Sequence, residues 1–191
     1  MTNTGEQAIA QAAQQSASGA RFGTGLCLQK VRGCYLVGAK YPDATSAWEN
    51  AGIRHKDRNP LTIPRGVPVF WTGGSAGHGH IAISTGDGYC WSTDIERPGF
   101  FDHVRIADIE RRWSLPLVGW TEDLNGVRVW TAPPAPTKED LMLADLRALC
   151  KKYGVSLVYL ARICLRAAAK ANSGARLRRI NAARVALKGM I

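Results

Sequence analysis

Ala132-Pro133-Pro134-Ala135-Pro136 can lie inside neither a helix nor a strand, because proline lacks the backbone N–H that both ladders need. Read as a stiff linker over residues 132–137, it divides the 191-residue chain in two. The charge divides at the same place. Residues 1–136 hold 13 Lys+Arg against 12 Asp+Glu, a net of +1, whereas residues 137–191 hold 12 against 3, a net of +9. The two parts therefore need separate functional readings.

Before the linker the pattern is that of a globular domain over residues 20–131, preceded by a polar, Ala- and Gln-rich segment over residues 1–19. A hydrophobic content of 46% and a charged content of 21% suit a buried core. Five cysteines form no even, close-spaced framework of the secreted kind. The first residues lack the basic start and apolar run of a signal peptide. No apolar run reaches the roughly 18 residues of a membrane span. The expectation is a protein made in a reducing cytosol with free thiols.

Leu28, Val31 and Tyr35 recur at helical spacing and predict a helix over residues 27–38, with a second short one over residues 45–50. Val67 to Trp71 is β-branched and aromatic, and a glycine loop follows. His80 to Ser84, the turn Gly86-Asp87-Gly88 and Tyr89 to Thr93 read as a hairpin, with further short strands around residues 104–106 and 127–130. Helices first and an antiparallel meander afterwards give an α+β domain. Beyond the linker, Thr137 can cap a helix from residue 138 to about 152. Two more helices are expected over residues 155–171 and around residues 176–188, making residues 138–191 a small all-α basic domain.

Cys27 and Cys34 share a face of the predicted first helix. Seven residues at about 1.5 Å rise separate them by roughly 10 Å. A disulfide needs Cα atoms within about 7 Å, and zinc knuckles use two to four intervening residues. Neither pairing fits. Cys27 falls in the first turn, where free N–H groups and the helix dipole favour a thiolate. Cys34 falls mid-helix, where a thiol behaves as a small hydrophobe.

A nucleophilic thiol needs a base and a group to orient that base. His80 heads a predicted strand, with Ala82 and Ser84 on its face and Ile81 and Ile83 toward the core. The returning strand offers Cys90, Ser92 and Asp94 on one face. Asp94 can accept an imidazole N–H and fix the tautomer, and Ser92 can do so more weakly.

As an ordered set, Cys27-Leu28-Gln29-Lys30-Val31-Arg32, Pro64-Arg65-Gly66-Val67-Pro68-Val69-Phe70-Trp71 and Gly79-His80-Ile81-Ala82-Ile83-Ser84, with Ser92-Thr93-Asp94, resemble the CHAP superfamily. These are cysteine, histidine-dependent amidohydrolases/peptidases, relatives of the NlpC-type peptidases. The stretch from Gly119 to Val127 resembles the end of the catalytic domain in endolysins of phages infecting actinobacteria. The resemblance covers roughly residues 20–131. It implies a papain-like fold and cleavage of a peptidoglycan amide bond, with neither metal nor organic cofactor. Cys27 matches the nucleophile and His80 the general base. For the third catalytic residue, counting along NlpC-type relatives lands on Ser92, whereas the CHAP pattern favours an acid, Asp94, which is preferred. Gly25, Trp71 and His78 are the substrate-binding candidates. The resemblance also implies synthesis in a host cytoplasm and action at the bacterial cell wall, a holin supplying the exit.

His78, two residues from His80, is the rival base. His55 and His103 read as solvent-facing. A zinc site from Cys27, His80 and Cys90 lacks a close-spaced ligand pair. The tryptophans read as core, with one or two available to line a sugar groove. The basic tail is read as a module for anionic wall polymers or a membrane surface, with nucleic acid the runner-up. Two function classes result. One is a peptidoglycan hydrolase with a basic targeting module, and the other a nucleic-acid- or envelope-binding protein on an inactive scaffold.

Overall fold

The computed structural model describes residues 1–135, 137–159 and 162. The chain forms two compact units, Met1–Ala132 and Pro133–Ile191. The first is a mixed α+β unit. Its elements are α1 (Gly5–Ser18), α2 (Cys27–Cys34), α3 (Ala44–Glu49), β1 (Arg54–His55), β2 (Pro68–Trp71), β3 (His80–Ser84), β4 (Tyr89–Thr93), β5 (Phe101–Arg105), α4 (Ile106–Trp113), β6 (Leu117–Thr121), β7 (Asp123–Leu124) and β8 (Val127–Arg128). Six strands form one antiparallel sheet in the order β1-β6-β2-β3-β4-β5, and β7 pairs with β8.

Both faces of this sheet are covered. One carries Phe70, Ile81 and Ile83 against Leu28 and Val31 of α2, Ala47 and Trp48 of α3, and Ala8 and Ala12 of α1. The other carries Val69, Trp71 and Ala82 against Ile106 and Ile109 of α4. This corrects the expectation that His80, Ala82 and Ser84 share a face open to a cleft: all five residues of β3 are buried. A central strand with packing on both sides has no solvent face.

The polar segment over residues 1–19 is also not separate from the domain. Thr4 and Gln7 form a capping box that starts α1, and Gly19 ends it in the left-handed region. The helix turns Ala8, Ile9 and Ala12 into the core. Its first residue, Gly5, lies so close to Gly66 that a Cβ would meet the Gly66 carbonyl oxygen at 2.4 Å. Asn3 Nδ2 donates to the Cys34 carbonyl (2.8 Å), and Arg65 holds Glu6 with two bonds. A stripe built mainly of alanine is weak in hydropathy, which hid the helix inside a polar composition.

Helix α2 stops at Cys34, short of the expected residue 38. Leu36 takes a left-handed φ of 56°, and the N–H groups of Leu36 and Val37 close on the carbonyls of Gly33 and Arg32. The short strand expected around residues 104–106 is the end of β5, which begins earlier, at Phe101, and gives way to α4 at Ile106.

In the second unit, α5 (Lys138–Tyr153) begins with a Thr137/Asp140 capping box and ends at Gly154, with φ 64°. Most of the helix expected over residues 155–171 and all of the one around residues 176–188 lie outside the described residues. No helix among the described residues is long and apolar enough to cross a membrane.

Candidate active site

Cys27 is the first residue of α2, and Leu26 before it offers no side-chain cap. The free N–H groups of the first turn therefore remain available at the sulfur. The Ser84 N–H bonds the Val67 carbonyl beside β2, so by alternation the N–H groups of Ile83 and Ile81 point toward β4. The β3–β4 ladder, however, holds only Ile83 with Trp91 and Ser84 with Cys90. The strands part beyond that point, and the Ile81 N–H acts on the Cys27 thiol, favouring its anion. This places the thiol beside the residue that follows His80.

Burial pushes the Cys27 thiol up, and the N–H groups of Ile81 and Leu28 offset part of that. Cys34 lies in the core behind it, fully buried, with the Gln15 amide 3.6 Å from its sulfur and its pKa pushed up to about 12 by burial. The two cysteines thus occupy different environments on one short helix.

His80 is 2% exposed. Its Nε2 lies 2.7 Å from Ser92 Oγ, and Ser92 Oγ lies 3.5 Å from the Thr93 carbonyl oxygen. With the proton on Nε2, the imidazole donates to Ser92, which leaves Nδ1 as the basic nitrogen. Trp71 packs beside the ring (5.7 Å between centroids), and Trp113 stands edge-on to it (4.9 Å, 89°). Enclosed in this way, the imidazole is pulled down to about 3, because burial disfavours its cation.

Asp94 does a different job. Its Oδ2 accepts from the Gly25 N–H (3.2 Å) and its Oδ1 from the Gly99 N–H (2.7 Å). Its own φ of 66° turns the carboxylate toward the loop before Cys27. The partner of the imidazole is Ser92, and Asp94 holds the loop before Cys27.

Cys27, His80 and Asp94 all line one cavity of about 670 Å³. Gly25 and His78 line it too. His78 is an exposed side chain whose Nδ1 lies 3.5 Å from Asp43 Oδ2 at the α3 cap. Its loop is held by α3, since Thr45 donates from its N–H to the His78 carbonyl and from Oγ1 to the Gly77 carbonyl. Gly79 closes that loop at φ 63°, where a Cβ would stand 2.4 Å from the Trp71 carbonyl oxygen. Trp71 departs from its expected place in substrate binding: it is fully buried under His80 and outside the cavity lining. Its pairing with His80 across β2 and β3 puts the indole inside the second core. Cys90 is buried in the same core.

Trp113, Arg32, Tyr41 and Asp43 also line the cavity, and sequence reading missed all four. Trp113 had a signal. Ile106, Ile109 and Trp113 recur at helical spacing, and that spacing places Trp113 at the end of α4. No protein-family model, curated protein or solved structure matches the chain.

Proposed function

We propose that the chain is a peptidoglycan hydrolase, a thiol amidohydrolase of the CHAP and NlpC kind with a papain-like arrangement of helix and sheet. One observation carries this reading. A thiol at the start of α2 and a histidine whose Nε2 is held by a serine line one cavity.

The chemistry follows from the protonation states. With the thiol pushed up and the imidazole pulled down, the resting pair is Cys–SH and neutral imidazole. As the Cys27 sulfur attacks the scissile carbonyl, Nδ1 of His80 takes the thiol proton. The oxyanion is met by the Cys27 N–H at the uncapped helix start. The imidazolium then protonates the leaving amine, and a thioester to Cys27 remains. His80 removes a proton from water, hydroxide adds to the thioester, and the acid product leaves as the proton returns to sulfur. Ser92 holds the ring for both halves.

The resemblance of residues 20–131 to wall hydrolases supplies the substrate class, and the +9 of residues 137–191 suits attraction to anionic polymers of the wall. The test is mass spectrometry of fragments released from purified peptidoglycan. The expected product is a matched new amine and new carboxylate at one amide position. Release of fragments by glycosidic cleavage, or no release at all, would overturn the reading.

A further inference from the structure

The charged groups that line the cavity are unequally engaged. Asp94 has both oxygens on backbone N–H groups, and Asp43 has one on the Ser46 N–H and the other facing His78. The acids are spent. Arg32 is half-buried, gives one N–H to the Val37 carbonyl at 3.4 Å, and pairs with no carboxylate among the described residues. The hydroxyl of half-buried Tyr41 has no hydrogen-bond partner among the described residues. Among its charged and aromatic groups the cavity thus still offers a guanidinium fork and a phenol, beside the uncharged side chains of Thr24 and Gln29.

A half-enclosed guanidinium has most to gain from a planar anion that takes two parallel N–H bonds. The cavity, at about 670 Å³, is larger than one amide requires, so substrate can extend from Cys27 toward this fork. Arg32 lies five residues beyond Cys27 on α2, roughly 7.5 Å along the axis. That is about the length of two extended residues.

We propose that Arg32, assisted by Tyr41, binds a free carboxylate on the substrate about two residues from the scissile amide, so that the enzyme selects acidic stem peptides over their carboxamide forms. The inference rests on the hydrolase reading and names the part of the peptide that the same site recognises.

The experiment uses the full chain and two synthetic muropeptides that are identical except for carboxylate or carboxamide at that position. The wild-type protein should show kcat/KM about tenfold or more higher on the carboxylate form, the range of a charge-assisted hydrogen bond. Arg32→Gln should bring the ratio of the two rates to about one, Arg32→Lys should keep part of it, and Tyr41→Phe should reduce it. The ratio does not depend on how much of a variant is folded. Equal cleavage of both peptides by the wild type overturns the carboxylate subsite and leaves the hydrolase reading standing. Cleavage of neither overturns both.

Discussion

Nε2 of His80 and Oγ of Ser92 lie 2.7 Å apart across the place where β3 and β4 stop pairing. The bond is buried, and both residues are almost without solvent contact. With the proton on Nε2 it leaves Nδ1 as the basic nitrogen, and in the proposed mechanism it gives the orienting role to Ser92 rather than Asp94.

Ser92→Ala should lower kcat roughly ten- to a hundredfold with little change in KM, since the ring loses its tautomer lock but keeps its place. Asp94→Asn should act differently. It weakens the bonds to Gly25 and Gly99, and the expected effect is on KM and on thermal stability. Steady-state kinetics of the two variants on one soluble muropeptide separate the roles.

The acid limb of kcat/KM should fall well below the usual histidine range, because the buried imidazole stays neutral down to about pH 3. Stability should follow the same group. The unfolded chain protonates His80 near pH 6.5 and the folded chain near 3, so between those values the unfolded state binds the extra proton. Stability is complete above about pH 6.5 and falls by up to about 1.4 kcal/mol per pH unit below it. Urea midpoints measured from pH 7 to pH 4, on wild type and His80→Gln, should show the slope reduced in the variant.

Trp113 stands edge-on to the imidazole and closes one side of it. Trp113→Ala should let water reach the ring and move the acid limb of kcat/KM upward, toward pH 6.5. Trp113→Phe should restore most of the wild-type profile. A simple packing defect would lower the rate at every pH without moving the limb.

Helix α1 should be indispensable to the unit Met1–Ala132. Gly5→Ala drives a Cβ into the Gly66 carbonyl and should cost about 1–3 kcal/mol, the range of overpacking in a tight contact. Removal of residues 1–19 exposes the surface under Ala8, Ile9 and Ala12 and should lower the melting temperature further. Thermal unfolding by circular dichroism reads both.

The parts legible in the sequence were those with strong local signals. The Gly-Asp-Gly turn marked the β3–β4 hairpin, Thr137 and Gly154 marked both ends of α5, and Cys27 fell at a helix start as the spacing of Leu28, Val31 and Tyr35 suggested. What stayed hidden depends on tertiary packing. Ala8 and Ala12 become core only because α1 docks on α2 and on the sheet, and Leu36 ends α2 with a backbone angle its side chain does not announce. Ser92 and Asp94 alternate onto one face in any regular strand. Only the parting of β3 from β4, and the left-handed φ of Asp94, send one to the imidazole and the other to the Gly25 loop.

The most direct measurement is lysis of susceptible cell walls by wild type, Cys27→Ala and Cys34→Ala, each shown to be folded by circular dichroism. The two cysteines lie on one short helix, and only Cys27 faces the cavity. Cys27→Ala should lose all release of peptide fragments, while Cys34→Ala keeps the activity with a modest loss of stability. Fragment release that survives in Cys27→Ala, or that vanishes equally in both folded variants, would contradict the assignment of the nucleophile.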